Sequence, residues 1–176
     1  MGVFSGQNVF VTGGGSGIGL ACARAFAADG ANVLIMGRNP EKLQAAASEL
    51  AVIEGAGEIN SYTGDVSSEA DVAAAAEKAS LNGHLDIAVA NAGKGGLSPI
   101  LVTETSNWDE IMQTNLNGTF YTIKHAGRWM AQSGGGAICA ISSIAGVRTH
   151  RFMGSYCVSK AGIDMLTKII NEENEK

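Results

Sequence analysis

The sequence predicts an α/β fold, a doubly wound parallel sheet with helices on both faces, and three observations predict it. Short apolar β-like runs alternate with longer helical patterns along the chain. Most of those runs are continuously apolar, as strands covered on both faces are. The first of them ends in a glycine-rich turn that opens directly into a helix. The chain has 176 residues, 45% of them hydrophobic, which suits one domain with a substantial core.

The first strand is Val9–Thr12, and glycines come at 13, 14, 15, 17 and 19 before a helical pattern over Ile18–Asp29. Strand, glycine turn and helix N-terminus together hold a phosphate well. Glycines let backbone amides approach the anion, and the unpaired N–H groups and dipole of the helix favour negative charge there. G-x-G-x-x-G fits in no register, and no lysine follows the last glycine as a P-loop requires. T-G-x-x-x-G-x-G does fit, through Thr12, Gly13, Gly17 and Gly19, with Gly15, Ser16 and Ile18 completing the turn. A flexible glycine turn between a strand and a helix would produce similar text.

The second strand, Val33–Met36, leads to Asn39-Pro40, an N-cap residue before proline at the first helical position, and a helix to Ile53. The third strand is Ile59–Thr63, followed by Gly64-Asp65-Val66 and a helix over Ser68–Ala79. The fourth, Ile87–Ala90, runs into Asn91-Ala92-Gly93. A long helix, Ser106–Gln132, carries an apolar stripe of Ile111, Leu116, Phe120, Ile123 and Met130, and Asn115 falls close to it. A buried amide there requires hydrogen-bond partners. The fifth strand, Ala137–Ile141, precedes Ser142-Ser143-Ile144-Ala145-Gly146, and a last helix comes after Ser155. On that helix Tyr156 and Lys160 are four apart and share a face. An ammonium beside a phenol stabilises the phenolate, which suits general acid–base work. Ser143 stands at the carboxyl end of a strand, where open α/β sheets present ligands.

Y-x-x-x-K, with a serine thirteen residues earlier in S-S-x-A-G, resembles the active site of the short-chain dehydrogenase/reductases, as the glycine loop resembles their cofactor loop. The resemblance covers roughly residues 5–168. It implies a Rossmann-like sheet, hydride transfer between a nicotinamide and a small carbonyl or alcohol substrate, and a homodimer or homotetramer. By the same resemblance Tyr156 is the general acid/base and Lys160 supports it and bonds the nicotinamide ribose. Ser143 polarises the reacting oxygen, and Asn115, in Asn115-Leu116-Asn117-Gly118, relays protons through a held water. Asp65-Val66 contacts the adenine, and Asn91-Ala92-Gly93 steadies the sheet beside the cofactor. An NAD site places a carboxylate about 20 residues past the glycine loop. Here Met36-Gly37-Arg38-Asn39 offers none, and Arg38 suits a 2′-phosphate, so NADP(H) is preferred and NAD(H) is the alternative. An exposed loop arginine would read the same way.

Composition excludes other classes. A net charge of −5 argues against nucleic acid. No apolar run reaches the roughly 18 residues of a membrane span. The N-terminus shows no secretory pattern, and Cys22, Cys139 and Cys157 read as reduced thiols of a cytoplasmic protein. His84, His125 and His150 stand at no metal-ligand spacing, so no metal is expected. Arg148, His150 and Arg151 read as a solvated loop or, less simply, as groups facing an anionic substrate.

Family members usually continue with a further strand, a proline-glycine loop and a final strand. Here a polar tail, 171–176, comes after the last helix, so the sheet is expected to lack its last strands. The fifth strand would then be an uncovered edge. That leaves a second reading: a shortened, catalytically weak or inactive chain that acts by dimerising through the helices of Asn115 and Tyr156.

Overall fold

In the computed structural model, which describes residues 2–174, β1 (Asn8–Thr12) lies at the centre of the sheet. Its side chains alternate, sending Val9 and Val11 to one face and Phe10 to the other. All are buried because both faces are covered. β2 (Asn32–Gly37) and β4 (Ile87–Ala90) flank it, β3 (Ile59–Thr63) pairs with β2, and β5 (Ala137–Ala140) pairs with β4. Every pairing is parallel, in the order β3-β2-β1-β4-β5. The strand order reverses beside β1, so the helices that follow β1 and β4 pack on opposite faces of the sheet and a crevice opens at the strands' carboxyl ends.

Helices α1 (Gly17–Ala28) and α2 (Pro40–Ala51) cover the Val9/Val11 face with Ala23, Ala27, Leu43 and Leu50. Helices α3 (Glu69–Ala79) and α5 (Gly118–Gln132) cover the Phe10 face with Val72, Ala76, Ala126 and Met130. Local chemistry starts two of them. Asn39 Oδ1 accepts from the Lys42 N–H at 2.7 Å at the head of α2, and Ser68 Oγ accepts from the Asp71 N–H at 3.3 Å at the head of α3.

The expected helix over Ser106–Gln132 is three pieces. These are α4 (Thr105–Met112), a wide π-helical turn (Gln113–Asn117) and α5. The wide turn inserts extra backbone and rotates α5 relative to α4. As a result Phe120, expected in the apolar stripe, is 43% exposed, and the buried face of α5 is Gly118, Thr119, Thr122, Ile123, Ala126 and Met130. Helix α6 (Gly154–Asn174) takes in most of the expected polar tail, and Glu175 and Lys176 lie outside the described residues.

β5 is the uncovered edge expected of the fifth strand, and one of its faces is open as well. Ile138 packs with the α5 cluster, whereas Ala137 and Cys139 on the opposite face are exposed. No strand pairs with its outer edge among the described residues. Short 3-10 turns at Leu81–Gly83, Ile100–Val102 and Ile144–Gly146, which the sequence pattern did not indicate, complete the connections.

Candidate functional site

The loops after β1 and β4 are stitched together by their own polar groups. Thr12 Oγ1 accepts from the backbone N–H of Asn91 at 3.1 Å and of Ala92 at 3.2 Å. Asn91 Nδ2 donates back to the carbonyls of Thr12 at 3.0 Å and Gly13 at 3.3 Å. Gly13 has φ +65°, and a Cβ there would sit 2.8 Å from Asn91 Nδ2. A Cβ on Gly19 would overlap the Gly13 carbonyl oxygen. Both glycines are therefore required by the close approach of α1, the glycine turn and the β4 loop.

Over this seam lies a cavity of about 550 Å³, whose walls come from the carboxyl ends of all five strands. That volume suits a small-molecule or cofactor site. The glycine turn contributes Gly13, Gly15, Ser16 and Ile18, and the loop after β2 contributes Arg38. Asp65 and Val66 come from the loop after β3, and Asn91, Ala92 and Gly93 from the loop after β4. Tyr156 and Lys160 enter from α6. Thr12, Gly17 and Gly19 support this wall without lining it.

Arg38 is mostly exposed, with Nη1 3.9 Å from Asp65 Oδ2. Lys160 is 4% exposed and donates from Nζ to the Ile141 carbonyl at 2.6 Å. Its ammonium lies 5.7 Å from the centre of the Tyr156 ring. Burial holds the Lys160 ammonium below its usual pKa, and Asp164 opposes that shift.

Ser143 does not line the cavity. Its Oγ accepts from the Ala145 N–H at 3.1 Å and starts the short turn Ile144–Gly146, while its neighbour Ser142 borders the cavity. Asn115 also stands behind the wall, 0% exposed. Its Oδ1 accepts from the Lys94 N–H at 2.8 Å, and its Nδ2 donates to the Lys94 carbonyl at 2.9 Å and to Ser159 Oγ at 3.0 Å. Arg148, His150 and Arg151 are exposed loop residues outside the cavity.

Sequence reasoning missed Lys42, Lys94 and Ser142, which all border the cavity. For Lys42 a signal existed, since α2 starts directly after β2 and its first turn faces the strand's carboxyl end. Lys94 had none. It lies one residue past an ordinary Asn-Ala-Gly turn, and its ion pair with Glu110 needs α4 packed beside the loop. His125, unpaired by spacing, meets Glu69 Oε1 at 3.0 Å across α3 and α5.

Comparison with known proteins places this arrangement among known ones. A family model described as short chain dehydrogenase matches residues 7–176. Galactitol 2-dehydrogenase (L-tagatose-forming) of Cereibacter sphaeroides is 36% identical over 165 residues, covering 93% of this chain and 63% of that protein. A short-chain type dehydrogenase/reductase structure from Mycobacterium ulcerans superposes with a TM-score of 0.93 at 39% identity, covering 97% of this chain and 63% of that one. An NAD+-bound xylitol dehydrogenase structure superposes with a TM-score of 0.90 at 30% identity, covering 96% and 65%. The chain thus spans under two thirds of the length of these relatives.

Proposed function

This chain belongs to the short-chain dehydrogenase family, and on that premise we propose that it is an NADP(H)-preferring oxidoreductase acting on a small carbonyl or alcohol substrate. The observation that carries this reading is the convergence of Tyr156, Lys160 and the glycine turn on one cavity. The cavity also fits the cofactor. Glycines keep backbone amides open to a pyrophosphate at the head of α1, and a cation stands over β2 for the adenosine end.

When bound, the nicotinamide supplies or accepts the hydride. The Tyr156 phenol gives or takes the proton at the substrate oxygen, with the Lys160 ammonium 5.7 Å from the centre of its ring. Ser143 Oγ accepts from Ala145 N–H and donates to no protein acceptor among the described residues, so its hydrogen is left free for the substrate oxygen assigned to it, although Ser143 itself lies outside the cavity lining. Asn115 is assigned the proton relay, and its side chain also holds the Lys94 backbone and α6. Preference for NADP(H) over NAD(H) is supported by Arg38 and Lys42 on the wall and by the absence of a carboxylate at the end of β2. Asp65 and Val66 are assigned to the adenine, and Asn91, Ala92 and Gly93 to the cofactor's flank.

The assignment extends to a single cytoplasmic domain that forms a homodimer or homotetramer. Exposed Phe120 on α5, with Val158, Met165 and Ile169 on α6, supports association of those helices. The same apolar residues favour the second reading, a chain that associates without turning over.

The test is NADPH oxidation with L-tagatose, diacetyl and cyclohexanone, beside NADPH binding by calorimetry. Tyr156→Phe is expected to lower kcat by roughly 10²–10⁴-fold, the scale of one general acid–base group, while NADPH still binds. Turnover unchanged in Tyr156→Phe overturns the mechanism. Association without NADPH binding favours the second reading.

A further inference from the structure

Ser159, the residue before the buried lysine, does more than its place in a helix requires. It is 0% exposed, and its Oγ donates to the Tyr156 carbonyl at 2.8 Å, an ordinary local bond for a helical serine. The same oxygen accepts from Asn115 Nδ2 at 3.0 Å, across 44 residues of sequence. Asn115 meanwhile grips both backbone groups of Lys94. These bonds join the loop after β4, the wide turn before α5 and the first turns of α6. A hydroxyl can accept and donate at once, so a serine satisfies the buried amide while staying within the helix.

Resting on the oxidoreductase reading above, we propose that Ser159 is a positioning residue: through Asn115, its hydroxyl holds the first turns of α6, and with them Tyr156 and Lys160, in register with the cavity wall. Tyr156 and Lys160 flank Ser159 on the same helix, so a tilt of that segment moves phenol and ammonium together. Without the hydroxyl, one hydrogen of a fully buried amide loses its acceptor, and the helix loses its polar tie to the β4 loop.

The test uses the full chain and two independent readouts. In the absence of ligand, hydrogen exchange of the Asn115 side-chain amide is followed by isotope-edited NMR in wild type, Ser159→Ala and Ser159→Thr. Exchange is expected to quicken about tenfold in Ser159→Ala, the scale of one lost buried hydrogen bond, and to return towards wild type in Ser159→Thr. With NADPH and the same three carbonyl compounds, kcat is expected to fall about tenfold in Ser159→Ala because geometry at the reacting atoms is degraded. KM for NADPH should change less than kcat, since the glycine turn and Arg38, which the substitution leaves in place, supply the remaining cofactor contacts. A purely structural role predicts lower thermal stability with kcat per folded molecule unchanged, and that result overturns the proposal. So does wild-type exchange in Ser159→Ala, whatever the turnover. Should Ser159→Ala fail to fold, Ser159→Cys, which keeps the shape and weakens the hydrogen bonds, carries both readouts. A wild-type chain that oxidises NADPH with none of the three compounds sinks the oxidoreductase reading, and the exchange measurement then decides the clamp alone.

Discussion

Lys160 shows what burial does to a charged side chain. Its ammonium is held below the ordinary lysine pKa by loss of water, with Asp164 opposing. Between that lowered value and the unfolded value of about 10.4, the folded chain binds fewer protons than the unfolded one, so stability rises with pH through that window. Lys160→Met removes the titration. Wild type is therefore expected to gain stability relative to Lys160→Met as the pH climbs towards the ordinary lysine value, measured as urea midpoints at several pH values. A constant gap would refute the burial argument. Arg38 is a simpler case, an exposed guanidinium over β2. If it holds a 2′-phosphate, Arg38→Ala should raise KM for NADPH about tenfold or more, the worth of a charge-assisted hydrogen bond, and leave KM for NADH unchanged. The residues facing the cavity were largely legible in the sequence, because glycine spacing and the Tyr156/Lys160 pair are local patterns. Lys94 and Ser159 were not legible, since their partners come from distant segments.

At the scale of elements, the wide turn before α5 is the instructive departure. Periodicity over Ser106–Gln132 is nearly continuous, yet the extra backbone turns Phe120 outward and lets Asn115 face Lys94 and Ser159. A second link ties α3 to α5, where Glu69 accepts from Lys124 at 2.6 Å and from His125 at 3.0 Å. Both partners hold the Glu69 carboxyl below its usual value, Lys124 foremost. A depressed carboxylate contributes stability above its unfolded pKa, about 4.3, and loses it as the pH falls through the folded value. Wild type should therefore be more stable than Glu69→Gln at neutral pH by a small margin, as for an exposed pair. That margin should vanish in acid. An unchanged margin at low pH would show that the pairing contributes nothing.

For the molecule as a whole, the central strands are well covered and β5 is not. Its Ala137 and Cys139 are exposed and its outer edge is unpaired among the described residues, a template for strand addition. Cys139→Lys puts a charge on that edge at an exposed position, and concentration-dependent scattering should fall while the thermal midpoint holds. If scattering is unchanged, association runs through another surface. The sequence by itself determined the class of fold, the five strands and the glycine turn, because these arise from short-range periodicity and backbone preference. It also placed Tyr156 and Lys160 on one helical face. Only the tertiary structure decided that the β1 and β4 loops are sewn by Thr12 and Asn91, and that Lys42 and Lys94 reach the cavity. It likewise tied Asn115 to Ser159. The physical reason is that these contacts depend on which strands become neighbours and how a helix is rotated, and both are settled by packing over the whole sheet.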